Sequence, residues 1–211
     1  MEPSTKCFTL LAEGSSDESL VPILLWLWRQ HRPKDELIKP QFVDPGYINL
    51  AGHRLADQLL PACDLYPCDV LFIHRDADRE SQDTRVNQIR GAIKNAFTHG
   101  IAPPAVCVIP VRMTEAWLLF HEPALRKAAD NPNGEQPLNL PKLSQIERLP
   151  NPKQTLRELL RDASGLPPQR LRRFREDRAA RLITQFIEDF SPLRKLSAFS
   201  RLEEEFAALK F

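Results

Sequence analysis

The chain has 211 residues, 42% of them hydrophobic and 27% charged, which suits one core with an appendage and excludes two large domains. That apolar fraction excludes a disordered chain, and the longest apolar stretch, Val21 to Trp28, is interrupted by Pro22 and falls short of the ~20 residues of a membrane span. The formal net charge of +1 supplies no global field toward nucleic acid, so any such binding has to come from a local patch.

The first half alternates between two periodicities. Lys6 to Ala12 is a short apolar run and is predicted as a strand. Glu13 to Ser16 is a polar turn, and Asp17 to Gln30 then carries Leu20, Ile23, Leu24, Leu27 and Trp28 at helical spacing. Gln41 to Asp44 is a weak strand and Ala51 to Leu60 a shorter helix. Val70 to His74 is a strand without polar alternation, so both of its faces are expected to be buried. Thr84 to Phe97 places Val86, Ile89, Ile93 and Phe97 on one helix face. Ala105 to Val111 is a further strand, and Thr114 to Phe120 opens another helix. Strands separated by helices in this way predict an α/β fold with a mainly parallel four-stranded sheet flanked by helices.

The composition shifts near residue 121. Residues 131–152 are rich in Pro and Asn and are expected to be loop or lid. Asn151 and Pro152 then start a helix through Leu160, with Asn as cap and Pro at the first position. From Pro167 onward the chain reads as helix, with one stripe of Leu182, Ile183, Phe186, Ile187 and Phe190 and another of Phe199, Leu202, Phe206 and Leu209. The expected organisation is an α/β core over residues 1–125 and a C-terminal helical extension over 126–211 that packs on it or on a partner.

Ligands in open parallel sheets bind at the carboxyl ends of the strands. Glu13 and Asp17 follow the first predicted strand, Asp76 and Asp78 the third, and Glu115 the fourth. Five carboxylates at one sheet edge repel one another unless a cation neutralises them. Hard oxygen ligands favour Mg²⁺, Mn²⁺ or Ca²⁺ over zinc, one ion or two, and such ions serve phosphoryl transfer or phosphodiester hydrolysis. The plain alternative is that such acids only cap the helices that follow.

Three segments carry a family likeness: EGSSDESLVPILL, FIHRDAD and RMTEAWLL. Glu-Gly after the first strand followed by D-x-D after the third resembles the TOPRIM domain, a Rossmann-like metal-binding domain of topoisomerases, primases and OLD-family nucleases. More narrowly, the segments resemble small bacterial TOPRIM-like proteins often encoded beside an ABC-type ATPase. The likeness spans roughly residues 6–160. It implies Glu13 with Asp17 as ligands of one ion, Asp76 shared between ions, and Asp78 and Glu115 completing a second site. It also implies Glu13, Asp76 and Asp78 as catalytic residues, with Lys153 (Lys142 as a substitute) stabilising transition-state charge; a plain surface lysine is the alternative. The family's D-x-D-x-x-G ends here in Ser81, and with 2 tyrosines in a short chain the topoisomerase branch is excluded, leaving the nuclease branch.

Arg170 to Arg181 holds six arginines against Glu176 and Asp177. Arg170, Arg172, Arg173 and Arg175 are the candidate phosphate contacts; a solvated helix face is the alternative. Arg75 is expected to pair with an acid, His74 to continue its strand, and His53 is a weaker catalytic candidate. The three tryptophans are expected in the core or an interface. No glycine-rich nucleotide loop is present. The cysteines, Cys7, Cys63, Cys68 and Cys107, form no C-x-x-C pair and match no zinc spacing, and no secretory leader is expected. A reducing, cytoplasmic location follows.

The reading is a cytoplasmic Mg²⁺- or Mn²⁺-dependent nuclease acting on DNA ahead of RNA. An ATPase partner and a defence role against phage come from the likeness alone, and the helical tail is expected to dock such a partner or a second copy as a homodimer. The rivals are a metal- and nucleic-acid-binding subunit that a partner activates, and a small-molecule phosphohydrolase. A receiver-like phosphoacceptor at Asp76 would need a closing strand with a lysine, which this chain lacks.

Overall fold

The computed structural model describes residues 5–33, 35–44, 46 and 54–211. The predicted start of the second helix and His53 lie outside them. Four strands, β1 (Thr5–Leu11), β2 (Leu37–Val43), β3 (Val70–His74) and β4 (Ala105–Val108), form one all-parallel sheet in the order β2-β1-β3-β4. Between them run α1 (Leu20–His31), α2 (Leu55–Leu65) and α3 (Gln82–Ala96). The predicted α/β architecture is thus observed.

Side chains of a strand alternate between faces, and here both faces are covered. Phe8 and Leu10, Val70 and Phe72, and Val106 and Val108 join one buried cluster with α1. Leu11, Leu71, Ile73 and Cys107 join a second with α2 and α3. The unbroken apolar run of β3, buried at all five positions, reflects this two-sided burial. β2 begins four residues earlier than predicted. Its Lys39, Pro40 and Gln41 obscure the strand pattern, yet an edge strand tolerates Pro, and all seven residues pair in register with β1.

The second half is helical: α4 (Glu122–Ala128), α5 (Leu143–Ile146), α6 (Pro152–Ser164), α7 (Pro168–Leu171), α8 (Glu176–Leu182) and α9 (Ser197–Ala208). The Asn151 side chain accepts from the Gln154 amide, so the expected cap of α6 is present. Gly165 ends α6 at φ 60, where a Cβ would come within 2.8 Å of the Gln136 amide. The helix expected from Thr114 to Phe120 is a 3-10 turn over Thr114–Leu118, after which the His121 ring accepts from Ala124 N and starts α4.

The continuous helix expected after Pro167 is instead broken. Prolines restart the chain at residues 167–168 and 192, and Ile187 is extended. Of the first predicted stripe, Ile183, Ile187 and Phe190 are buried through this irregular path while Phe186 stays exposed. The second stripe holds at Phe199, Leu202 and Phe206 of α9, which are buried, while Leu209 lies just past the helix and is half-buried.

These helices pack on the sheet face that α1 covers. Phe206 lies 5.4 Å from the Trp28 ring and 5.6 Å from Phe72, centroid to centroid. Trp28 and Trp117 are fully buried, and Trp26 packs against Phe190 and Phe199. All four cysteines are free thiols. Among the described residues no helix is long and apolar enough to cross a membrane.

Candidate metal centre at the carboxyl edge of the sheet

β1 and β3 are neighbours in the sheet, so the residues that follow them emerge side by side. Glu13 accepts from the Arg75 guanidinium at 3.1 Å and from the Asp76 amide at 3.1 Å, which gives Arg75 the acidic partner expected of it. Asp17 belongs to a 3-10 turn over Ser15–Ser19. Its carboxylate folds back to accept from the amides of Glu13 (3.2 Å) and Gly14 (3.0 Å). Asp17 therefore ties the turn together and is itself buried.

Asp76 is held from the other side. The Thr114 amide donates to its Oδ1 at 2.9 Å, and the Thr114 hydroxyl lies 3.4 Å from the same oxygen. Burial, together with the charges of Asp17, Glu13 and Glu115, pushes the Asp76 carboxyl up to about 8, while the Thr114 bond pulls the other way. A carboxyl raised by neighbouring acids marks a place where positive charge is missing.

His74 completes the group. Its Nδ1 lies 3.0 Å from the Val108 carbonyl oxygen, which can only accept, so Nδ1 carries the proton. Nε2 then faces Thr114 Oγ1 at 3.2 Å, Asp76 Oδ1 at 3.4 Å and Asp17 Oδ1 at 3.7 Å. Burial pushes the His74 pKa down, against the pull of Asp17. Glu13, His74 and Asp76 each present one atom, and these atoms lie within 4.8 Å of one another. Atoms bound to one ion at about 2.1 Å are at most about 4.2 Å apart, so side-chain shifts of less than about 1 Å would close the group on a divalent cation. The donor set fits such an ion.

Glu115 lies near enough for its charge to act on Asp76, and Lys153 at the start of α6 reaches its Oε1 at 3.5 Å. Asp17, Thr114, Glu115 and Lys153 also line a cleft of about 230 Å³, together with Arg157, Asp177 and Arg181. Lys153 thus stands beside the acids, and α6 and α8 bring two arginines and one acid to the same cleft.

Asp78 stands apart. The alternation argument for D-x-D assumes an extended chain through residue 78. Amides of Arg75 and Ala77 do continue the ladder to Val108 and Pro110, but Asp78 turns to φ 54, in the left-handed region that Asp adopts more readily than most residues. Its carboxylate accepts from Arg85 at 3.2 Å and is exposed. Ser81, standing where the motif would have Gly, caps α3 by accepting from the Thr84 amide.

His74 and Thr114 are the members that sequence reasoning missed. A signal existed for His74: it ends a fully buried strand two residues before Asp76, a spacing that puts both side chains on one side of an extended chain.

Arg170, Arg172, Arg173 and Arg175 are all exposed and among the described residues take no part in an ion pair. The acids within the segment are committed elsewhere: Asp177 pairs with Arg157 at 3.0 Å and Glu176 with Arg161, both on α6. Arg170, Arg173, Arg175 and Arg178 share a hollow of about 280 Å³ with one acid, Asp130. Arg178 also borders a neighbouring hollow with Arg181, and Arg181 borders the acidic cleft.

Comparison with protein-family models, with curated proteins and with solved structures found no match to this chain.

Proposed function

We propose that this chain is a divalent-metal-dependent phosphodiesterase of the TOPRIM type, acting on nucleic acid and on DNA ahead of RNA. The observation that carries the reading is the convergence of Glu13, Asp76, Asp17 and Glu115 at one sheet edge, with Asp76 driven up to about 8 by burial and by those acids. Glu13 and Asp76 would hold the ion, with Asp17 fixing the turn that presents Glu13 and Glu115 standing within electrostatic reach. Asp78 keeps a place in a second site only if it leaves Arg85.

A bound divalent ion supplies Lewis acidity toward a phosphoryl oxygen and toward water. The remaining work falls to the chain. Lys153, 3.5 Å from Glu115, is placed to donate to a phosphate oxygen as negative charge develops there. Arg157 and Arg181 face the same cleft and would anchor a neighbouring phosphate. From Arg181 the cationic surface continues through Arg178 to Arg175, Arg173 and Arg170, a path suited to a phosphate backbone rather than a single phosphate group. An ABC-type ATPase partner and a defence-related setting are proposed on the sequence likeness alone, a second copy as the other occupant of the helical tail, and a cytoplasmic location on the cysteine usage.

A second reading rests on the size of the cleft. About 230 Å³ holds one nucleotide, so a small phosphate ester is the rival substrate.

The deciding experiment incubates purified protein and its Asp76→Asn variant with supercoiled plasmid, with single-stranded DNA and RNA, and with p-nitrophenyl phosphate, in Mg²⁺ or Mn²⁺. The expected result is nicking or chain cleavage by the wild type, abolished by EDTA and in the variant. Hydrolysis of the small ester alone would favour the rival. Equal cleavage by both proteins would overturn the assignment of the site.

A further inference from the structure

We infer that His74 is a direct ligand of the ion, so that the centre takes a first-row transition ion such as Mn²⁺ in preference to Mg²⁺. The inference rests on the metal-centre reading above and sharpens it. An all-carboxylate edge is hard and suits Mg²⁺; an imidazole nitrogen moves the preference toward later, softer ions.

Three features of the ring support this. The first is its tautomer. Because the Val108 carbonyl 3.0 Å away takes the Nδ1 proton, the neutral ring leaves its lone pair on Nε2, on the side of the acids. A metal-binding histidine is commonly fixed in this way, its other nitrogen donating to a backbone carbonyl.

The second is the set of neighbours at Nε2. Two of its three contacts are carboxylate oxygens, Asp76 Oδ1 at 3.4 Å and Asp17 Oδ1 at 3.7 Å, and both are longer than a normal hydrogen bond. Neither carboxylate oxygen satisfies this lone pair at such a distance. A cation among them turns each of these contacts attractive. The third contact, the Thr114 hydroxyl at 3.2 Å, can rotate to donate to Asp76 Oδ1 instead, at 3.4 Å. The site therefore holds an alternative partner for the hydroxyl once Nε2 is engaged.

The third is burial. The His74 side chain is fully enclosed on the last residue of a central strand, while Glu13 remains 41% exposed. The ring forms the floor of the group and Glu13 its outer side. An ion entering past Glu13 meets Nε2 last, in a place where the ring cannot swing away.

The competing role is that of an imidazolium, protonated on both nitrogens, that neutralises the acids with no ion at all. Pulsed EPR of Mn²⁺ bound to the wild-type protein separates the two without any mutation. Direct ligation predicts a ¹⁴N hyperfine coupling from a coordinated imidazole. Calorimetry adds a second readout: Mn²⁺ is expected to bind at least about tenfold more tightly than Mg²⁺. His74→Gln, with folding checked by circular dichroism, is expected to weaken Mn²⁺ binding about tenfold or more and Mg²⁺ by about threefold or less. Mn²⁺ binding without the ¹⁴N coupling would overturn ligation by His74 and leave a carboxylate centre standing. Failure of the wild type to bind either ion would overturn the metal centre and this inference with it.

Discussion

The sheet edge and the α7–α8 segment leave charge uncompensated in opposite ways. At the edge, Asp17 and Asp76 are packed against one another's fields in partial burial, and among the described residues Arg75 and Lys153 are the arginine and lysine paired with the group, on Glu13 and Glu115. In the α7–α8 segment the arginines lie open to water while the local acids face α6. An exposed arginine surplus costs little, because water and salt screen it. A buried acid surplus is costly, and the protein meets that cost by holding a proton on Asp76. On the proposed function, the arginine segment receives an anion loosely and the sheet edge exchanges a proton for a cation. A net charge of +1 conceals both.

The comparison is broken most drastically by separating the two regions. Phe206 of α9 packs between Trp28 and Phe72, so the helical half and the sheet share one core. Phe206→Ala is expected to cost about 3–5 kcal/mol, with far-UV and near-UV signals melting together in denaturant. Two separate transitions would show that the halves fold independently.

Lys153→Met removes the cation nearest the acids. It is expected to lower the cleavage rate about tenfold or more while leaving Mn²⁺ affinity within about twofold, since its role is toward developing phosphate charge. An equal loss of metal binding would place Lys153 in the architecture of the centre instead.

The arginine surface is tested by Arg173→Ala with Arg175→Ala. DNA affinity should fall and the slope of log affinity against log salt should become shallower by about 2, with metal binding unchanged. An unaltered slope would return these arginines to the role of a solvated surface.

The last test is the pH dependence. Asp76 titrates near 8 in the fold against an ordinary 3.8, so between those values the folded chain keeps a proton that the unfolded chain has lost. Its contribution to stability is complete below about pH 4 and disappears as pH rises through 8. On the proposed function Mn²⁺ takes the place of that proton, so the rise in Tm on adding Mn²⁺ should be larger at pH 8.5 than at pH 6. A rise that is equal at both, or larger at pH 6, would show that the ion does not displace this proton.

Much of this was legible in the sequence where a single physical rule dominates. β3 is all apolar because both faces are buried, and the acids after β1, β3 and β4 share an edge because parallel strands end together. The rule failed where a neighbour decides the conformation. Asp78 leaves the group because its amide bonds to the Arg112 carbonyl in a left-handed turn that no local pattern announces. β2 is a strand because β1 pairs with it, despite Lys39 and Pro40. The two-residue spacing of His74 and Asp76 was readable, but on a strand buried throughout, a histidine looks like filling.

The most direct test of the central claim is calorimetric titration of Mn²⁺ into the wild-type protein and into Asp76→Asn at pH 8. Saturable binding by the wild type, weakened about tenfold or more by a substitution that preserves the fold, is the predicted result. Identical titrations for the two proteins would contradict it, and the acids at the sheet edge would then be caps and turn formers only.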